Sequence, residues 1–319
     1  MLLAVSVSAA TVRGHNQAYD RAERERKMSK KFDRAAEDLG NIVALEHVNV
    51  TIPDQHLSTL FYITGLGLTR DPYLVTGVVN MWVNVGRSQF HLPTDEPQVL
   101  RGCIGLVTPD LDGLARRLES VRESLNSTQF GFSVHNDHID ATCPWGNRFR
   151  CHAPDERFGP IALGMAYVEL DVPAGTADRI ARFYREIMGT LATVSKTDDA
   201  VAAHASVGSY QELVFLELDA PTVAYDGHHI QVYVADFSGP HSRLAERGLV
   251  SQEDNQHQYR FRDITDVDNG ELLFTLEHEV RSMTHPLFAR PLANRNPDQT
   301  NQQFAPGHEI RPWATPNLG

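Results

Sequence analysis

Four stretches of the chain alternate apolar with other residues over about seven positions: Glu46–Asp54, Gly102–Asp110, Ala166–Ala174 and His228–Asp236. Such alternation is the period of a strand with two unlike faces. Each stretch is followed by a helical pattern. The clearest runs from Thr176 to Met188, where Ile180, Phe183, Tyr184 and Ile187 share one face and charges line the other. Asp110–Leu118 and Pro240–Arg247 repeat it more weakly, and Leu57–Ile63 supplies the remaining copy, ending in Gly65-Leu-Gly67.

The equivalent positions Pro53, Pro109, Pro173 and Ala235 are separated by 56, 64 and 62 residues. Further strand-like runs follow each helix, among them Val78–Val85, Gln89–Leu92, Glu212–Glu217 and Glu271–Glu277. The repeating unit is therefore strand, helix, then two or three strands, and it is too long for the common solenoid repeats. The expected organisation is a charged extension over 1–40, one domain of two units over 41–158, a second over 159–283, and a Pro/Asn-rich tail over 284–319. Phe288, Phe304 and Trp313 suggest that the tail packs over the body as an extended arm, with a disordered tail as the alternative. The charged stretch from Arg13 to Lys31 contains Met28, which is the expected start of translation; the first 27 residues then lie outside the functional structure.

Composition narrows the function. With Lys+Arg 29 against Asp+Glu 41, the net charge is −12, which disfavours nucleic acid and anionic membrane surfaces as partners. No apolar run is long enough to span a bilayer. Three cysteines, Cys103, Cys143 and Cys151, are too few for a disulfide framework and point to a reducing, cytoplasmic compartment. The expected partner is a small-molecule substrate, with self-association into a homodimer left open.

The fourfold repeat, the His47-Val-Asn-Val opening and the turn in Cys143-Pro-Trp-Gly-Asn-Arg-Phe149 resemble the vicinal oxygen chelate superfamily over roughly residues 42–280. That group includes glyoxalase I, the bleomycin-resistance proteins and the type I extradiol dioxygenases. The resemblance implies an α+β fold of four βαβββ modules paired into two cup-shaped domains. It also implies one divalent metal, Fe(II), Mn, Ni or Zn, held by residues of the first and last strands of each module.

Carried onto this sequence, the resemblance implies His229 as a first-strand ligand, with Glu217 and Glu277 as last-strand carboxylates. Tyr167 stands where a fourth ligand is expected; a neutral phenol is a poor ligand but can serve as a hydrogen-bond donor or acid. The extradiol pattern departs here, because Phe261–Gly270 lacks the expected proline turn. In the first half, His47 and His91 match ligand positions, but Cys103 and Arg150 take the partner positions, which reads as a degenerate domain. Tyr259 and Arg262 lie in a strand region facing the fourth-module site. His135-Asn-Asp-His138 has metal-like spacing, yet Asn-Asp between two strand runs reads as a hairpin turn. Cys143, Cys151 and His152 lack a zinc-site spacing.

Two functions are compatible with these residues. One is a metalloenzyme of the extradiol-dioxygenase or glyoxalase/isomerase type, chelating two adjacent oxygens of a small substrate. The alternative is a metal-free binding protein of the bleomycin-resistance type, for which the acidic charge and Trp82, Tyr167 and Tyr233 suit an aromatic or cationic ligand.

Overall fold

The computed structural model describes residues 33–74, 79–198, 200–219 and 223–294. The expectations for Met28, for the first 27 residues, and for Phe304 and Trp313 lie outside the described residues. An N-terminal unit, residues 1–38, contains a single helical turn over Ala35–Glu37 among the described residues; the body is residues 39–319.

The body follows the expected repeat. Module 1 comprises β1 (Ile42–Asn49), α1 (Gln55–Ser58, continued by a π-helical turn over Thr59–Gly65), β2 (Thr69–Arg70), β3 (Asn80–Val85) and β4 (Ser88–Pro93). Module 2 comprises β5 (Gly102–Val107), α2 (Leu111–Val121), β6 (Gly131–Val134), β7 (His138–Thr142) and β8 (Arg148–His152). Module 3 comprises β9 (Gly164–Pro173), α3 (Ala177–Phe183, with a π-helical turn over Tyr184–Met188), β10 (Ala192–Lys196), β11 (Val201–Gly208) and β12 (Gln211–Leu218). Module 4 comprises β13 (His229–Val234), α4 (Ser238–Glu246), β14 (Val250–Asn255), β15 (Gln258–Thr265) and β16 (Leu272–Ser282).

The repeated aspartate after each first strand has a local purpose. Asp54 accepts a hydrogen bond from Leu57 N at 2.9 Å, Asp110 from Gly113 N at 2.8 Å, and Asp236 from Gly239 N at 3.0 Å. Each satisfies an amide that the first helical turn leaves unpaired. Module 3 has Ala174 at this place. There the carboxylate of Glu217 reaches across from β12 and accepts from Ala177 N at 2.7 Å.

The modules pair in a different order from that expected for domains over 41–158 and 159–283. One eight-stranded sheet runs β14-β15-β16-β13-β1-β4-β3-β2 and joins modules 1 and 4. The other runs β10-β11-β12-β9-β5-β8-β7-β6 and joins modules 2 and 3. The first strands make the central contacts, β1 antiparallel to β13 and β5 antiparallel to β9.

The apolar faces of both sheets pack on a shared layer of helices. Phe61 and Tyr62 on the first helix each lie 5.3 Å, ring to ring, from Phe149 of β8 and Phe90 of β4 respectively. Tyr184 on the third helix lies 5.4 Å from Phe215 of β12, and its hydroxyl donates to Nε2 of His278 on β16 at 2.7 Å. Nδ1 of His278 is paired with Leu276 O at 2.7 Å, so the buried imidazole is fully satisfied. Removing the hydroxyl in Tyr184→Phe strands Nε2 without water. It should lower stability by about 1–3 kcal/mol, read as a lower urea midpoint with an unchanged slope. An unchanged midpoint would show that this tie between the helix layer and β16 contributes nothing.

Candidate metal centre

Alternation puts one row of side chains from each central strand on the polar face of the module 1/module 4 sheet. His47 pairs with Gln231 and with Gln89; Asn49 pairs with His229 and with His91. On the far side His229 pairs with Glu277, and Gln231 with Glu279. Three imidazoles from three strands thus converge. His47, His91 and His229 each offer a ring nitrogen, all within 4.8 Å of one another.

A β-bulge sharpens this arrangement. Between Leu45 and His47 the register to β13 slips, so that Glu46 is an extra residue and its side chain joins the polar face. Its carboxylate lies 3.3 Å from Nδ1 of His47, accepts from the Tyr233 hydroxyl at 3.2 Å, and pairs with Arg281 at 3.0 Å. With Nδ1–H directed to Glu46, His47 presents the lone pair of Nε2 to the centre. His229 is placed similarly, with Nδ1 3.7 Å from Glu277 and Nε2 3.6 Å from Glu279. A carboxylate on the far ring nitrogen is the usual orienting partner of a metal-binding histidine. Glu277 thus stands near Nδ1 of His229 and Glu279, two residues along the same strand face, near Nε2.

Glu279 does not stand alone. Arg260 spans it and Glu277, holding the latter at 2.6 Å, and Arg281 pairs with Glu279 at 2.5 Å. Burial pushes the Glu279 and Glu46 carboxyls up, and the guanidiniums pull them back towards ionisation. Burial also drives the three imidazoles down: His91 to about 2, and His47 and His229 well below 6.5, with neighbouring arginines acting in the same sense. All three are consequently neutral, which is the form that binds a metal.

Polar atoms on this face lack partners. Nε2 of His47, His91 and His229, Oδ1 of Asn49 and both amide atoms of Gln231 are buried without a hydrogen bond. Buried orphans are rare in folded proteins, and the histidine nitrogens among these belong to the cluster whose donor atoms lie within 4.8 Å of one another. Three neutral imidazoles beside an ionised carboxylate fit a divalent transition metal.

The described start of the tail runs across this face. The Phe288 ring lies 4.9 Å from Tyr233, Arg290 bonds Asp71 at 2.8 Å and Gln89 at 3.2 Å, and Asn294 pairs with both backbone groups of Gly86. Trp82 stacks on His91 at 3.8 Å and closes another side.

Of the residues singled out from sequence, the structure brings His47, His91, His229 and Glu277 together. It leaves Tyr167 and Glu217 on the other sheet, so the set His229, Glu217 and Glu277 does not surround one point. Glu217 caps α3, and Tyr167 lies across Gly105 with its hydroxyl 3.0 Å from Nε2 of His152. Tyr259 pairs with Val280 and faces the helix layer, and Arg262 is exposed at a slip in the β15–β16 register. Four contributors escaped sequence reading: Glu46, Arg260, Glu279 and Arg281. The pattern Glu277-His-Glu279-Val-Arg281 carried the signal, because it places two carboxylates and a guanidinium on one strand face.

Among the described residues no helix is long and apolar enough to cross a membrane, and the three cysteines are free and buried.

The imidazoles set a pH dependence. Neutral in the folded chain, they titrate near 6.5 once unfolded. Below that pH the unfolded state binds more protons, so the metal-free chain should be most stable above about pH 7 and weaken steadily to about pH 5.5. Glu46 and Glu279 act in the opposite sense at the acid end. Urea midpoints across this window measure the effect, and a flat profile would contradict neutral burial of the cluster.

No family model and no curated protein matches this sequence. Solved structures do. Glyoxalase I from Zea mays superposes with a TM-score of 0.53 at 13% identity, covering 75% of this chain and 92% of that one. A Bacillus subtilis protein provisionally named a dioxygenase gives 0.51 at 14% identity, covering 78% and 87%. With the repeated module and the first-strand pairing already in view, these likenesses establish that the chain has the vicinal oxygen chelate fold.

Proposed function

We propose that this chain is a divalent-metal-dependent enzyme acting on a small substrate with two adjacent oxygens, and that its chemistry is of the oxygenase type. The observation that carries this reading is the cluster of orphaned imidazole nitrogens, with Glu279 3.6 Å from Nε2 of His229. His47, His229 and Glu279 would hold the metal as a two-histidine, one-carboxylate set, which is the donor set of non-haem Fe(II) oxygenases. A bound ion of this kind supplies Lewis acidity and a route to dioxygen. That set favours oxygenase chemistry over the glyoxalase-like branch, for which two carboxylate ligands were expected.

The chain's own groups divide the remaining work. Glu46 fixes the tautomer of His47, and Glu277 stands near Nδ1 of His229. Arg260 and Arg281 keep Glu279 ionised and aimed. His91, neutral and stacked on Trp82, adds a third unpaired imidazole nitrogen at the edge of the cluster. Phe288 and Arg290 restrict water.

A second reading rests on the same arginines. Arg260 and Arg281 already engage Glu279, so its carboxylate has partners with no metal bound, as a metal-free binding protein requires.

Metal content of untagged protein, measured by ICP-MS after offering Fe, Mn, Ni or Zn, separates the two. About one metal per chain is expected, lost in His47→Ala and His229→Ala and retained in Glu217→Ala, with the loaded wild type consuming dioxygen on a catechol-type substrate. Absence of bound metal in the wild type, together with ligand-induced thermal stabilisation indifferent to EDTA, would establish the binding protein instead.

A further inference from the structure

A second convergence of donor atoms lies on the other sheet, away from the first- and last-strand positions that build the centre above. The turn between β6 and β7 is the expected hairpin: His135 N donates to His138 O at 2.9 Å, closing the loop through Asn136 and Asp137. The tightness of that turn folds the His135 ring back onto His138, with centroids 4.4 Å apart and planes within 17°. Asp140 is two residues further along β7, so it shares the face of His138. Its Oδ2 lies 3.5 Å from Nε2 of His135 and 3.5 Å from Nε2 of His138. Its other oxygen is anchored by Nε of Arg150 at 2.9 Å.

The orientation of His138 is decisive. Its Nδ1 lies 2.7 Å from the Asp137 carboxylate, which can only accept, so the Nδ1 proton is committed there. In the neutral ring Nε2 then carries a lone pair, and that lone pair faces the lone pairs of Asp140 Oδ2. Two acceptors facing each other repel unless a cation lies between them. A carboxylate on the far nitrogen, a bare near nitrogen, a second imidazole and an anchored carboxylate oxygen are the parts of a metal site with its orienting partner in place.

We propose that His135, His138 and Asp140 form a second, surface metal site that binds a borderline divalent transition-metal ion, zinc(II) being the probe. Imidazole nitrogen and carboxylate oxygen suit such ions, and three protein donors leave coordination positions for water. The donor atoms lie within 4.8 Å of one another, wider than a bound ion requires. His135, 46% exposed, has the room to close that distance by a side-chain rotation.

The test is titration of the untagged, metal-stripped full chain with zinc(II) against a chromophoric chelator. His138→Ala should remove one binding equivalent, and His135→Ala should do the same; Asp137→Asn should weaken that equivalent about 10-fold or more. His47→Ala and His229→Ala should leave it in place, so failure of the buried centre and failure of this site are separate results. In nitrogen-detected NMR, zinc should shift Nε2 of His135 and His138. Equal stoichiometry and affinity in wild type, His135→Ala and His138→Ala would overturn the proposal, as would NMR showing His138 doubly protonated and indifferent to zinc, because a proton would then be the cation between the acceptors.

Discussion

The antiparallel contact between β1 and β13 is the constraint on which the rest of the structure depends. It joins the first strand of the first module to the first strand of the last, 187 residues apart in the case of Glu46 and Tyr233. Only through this pairing do His47 and His229 face one another, and only through the flanking parallel pairs do His91 and Glu279 reach them. Long-range closure of this kind is entropically costly before its contacts form. Two fully apolar strand faces against a common helix layer offset that cost, and the polar face is assembled as a consequence.

The bulge at Glu46 shows how the backbone serves the site. A regular β1 would turn Glu46 towards the helix layer, where an ionised carboxylate has no partner. The extra residue puts it beside His47, Tyr233 and Arg281 instead. Buried charges are tolerable when each has a partner. Here three carboxylates, Glu46, Glu277 and Glu279, meet two guanidiniums, Arg260 and Arg281, leaving one net negative charge beside neutral imidazoles.

Much of the fold was legible, because strand alternation and the spacing of Pro53, Pro109, Pro173 and Ala235 are local properties. Which module pairs with which was not, because four similar first strands carry almost the same pattern and nothing local distinguishes partners. The misplacement of Glu217 follows directly. Its position in module 3 matches a ligand position, but module 3 lies in the sheet without His229, and the carboxylate replaces the capping aspartate that Ala174 lacks. His47, His91 and His229 were visible as strand-face histidines. Arg260 was not, because its place opposite Glu279 depends on the β15–β16 register, and the slips of β14 and β16 against β15 carry no sequence pattern.

The two polar faces have diverged in a way that the central strands explain. Where the first sheet has His47 and Asn49 on β1, the second has Cys103 and Gly105 on β5, and the Tyr167 ring fills the space over Gly105 so closely that a Cβ there would lie 2.2 Å from it. Arg150 pairs with Gly105 across the strands, bringing a fixed positive charge to the middle of the face. Burial raises the Cys103 thiol to about 11, which keeps it protonated and a poor ligand. A metal at the centre of this second face would have to displace an aromatic ring and approach a guanidinium. The same Arg150 acts differently at the edge, where it anchors Asp140 beside His135 and His138. The residue that brings a positive charge to the centre of the second sheet thus also holds the carboxylate beside His135 and His138 at its margin.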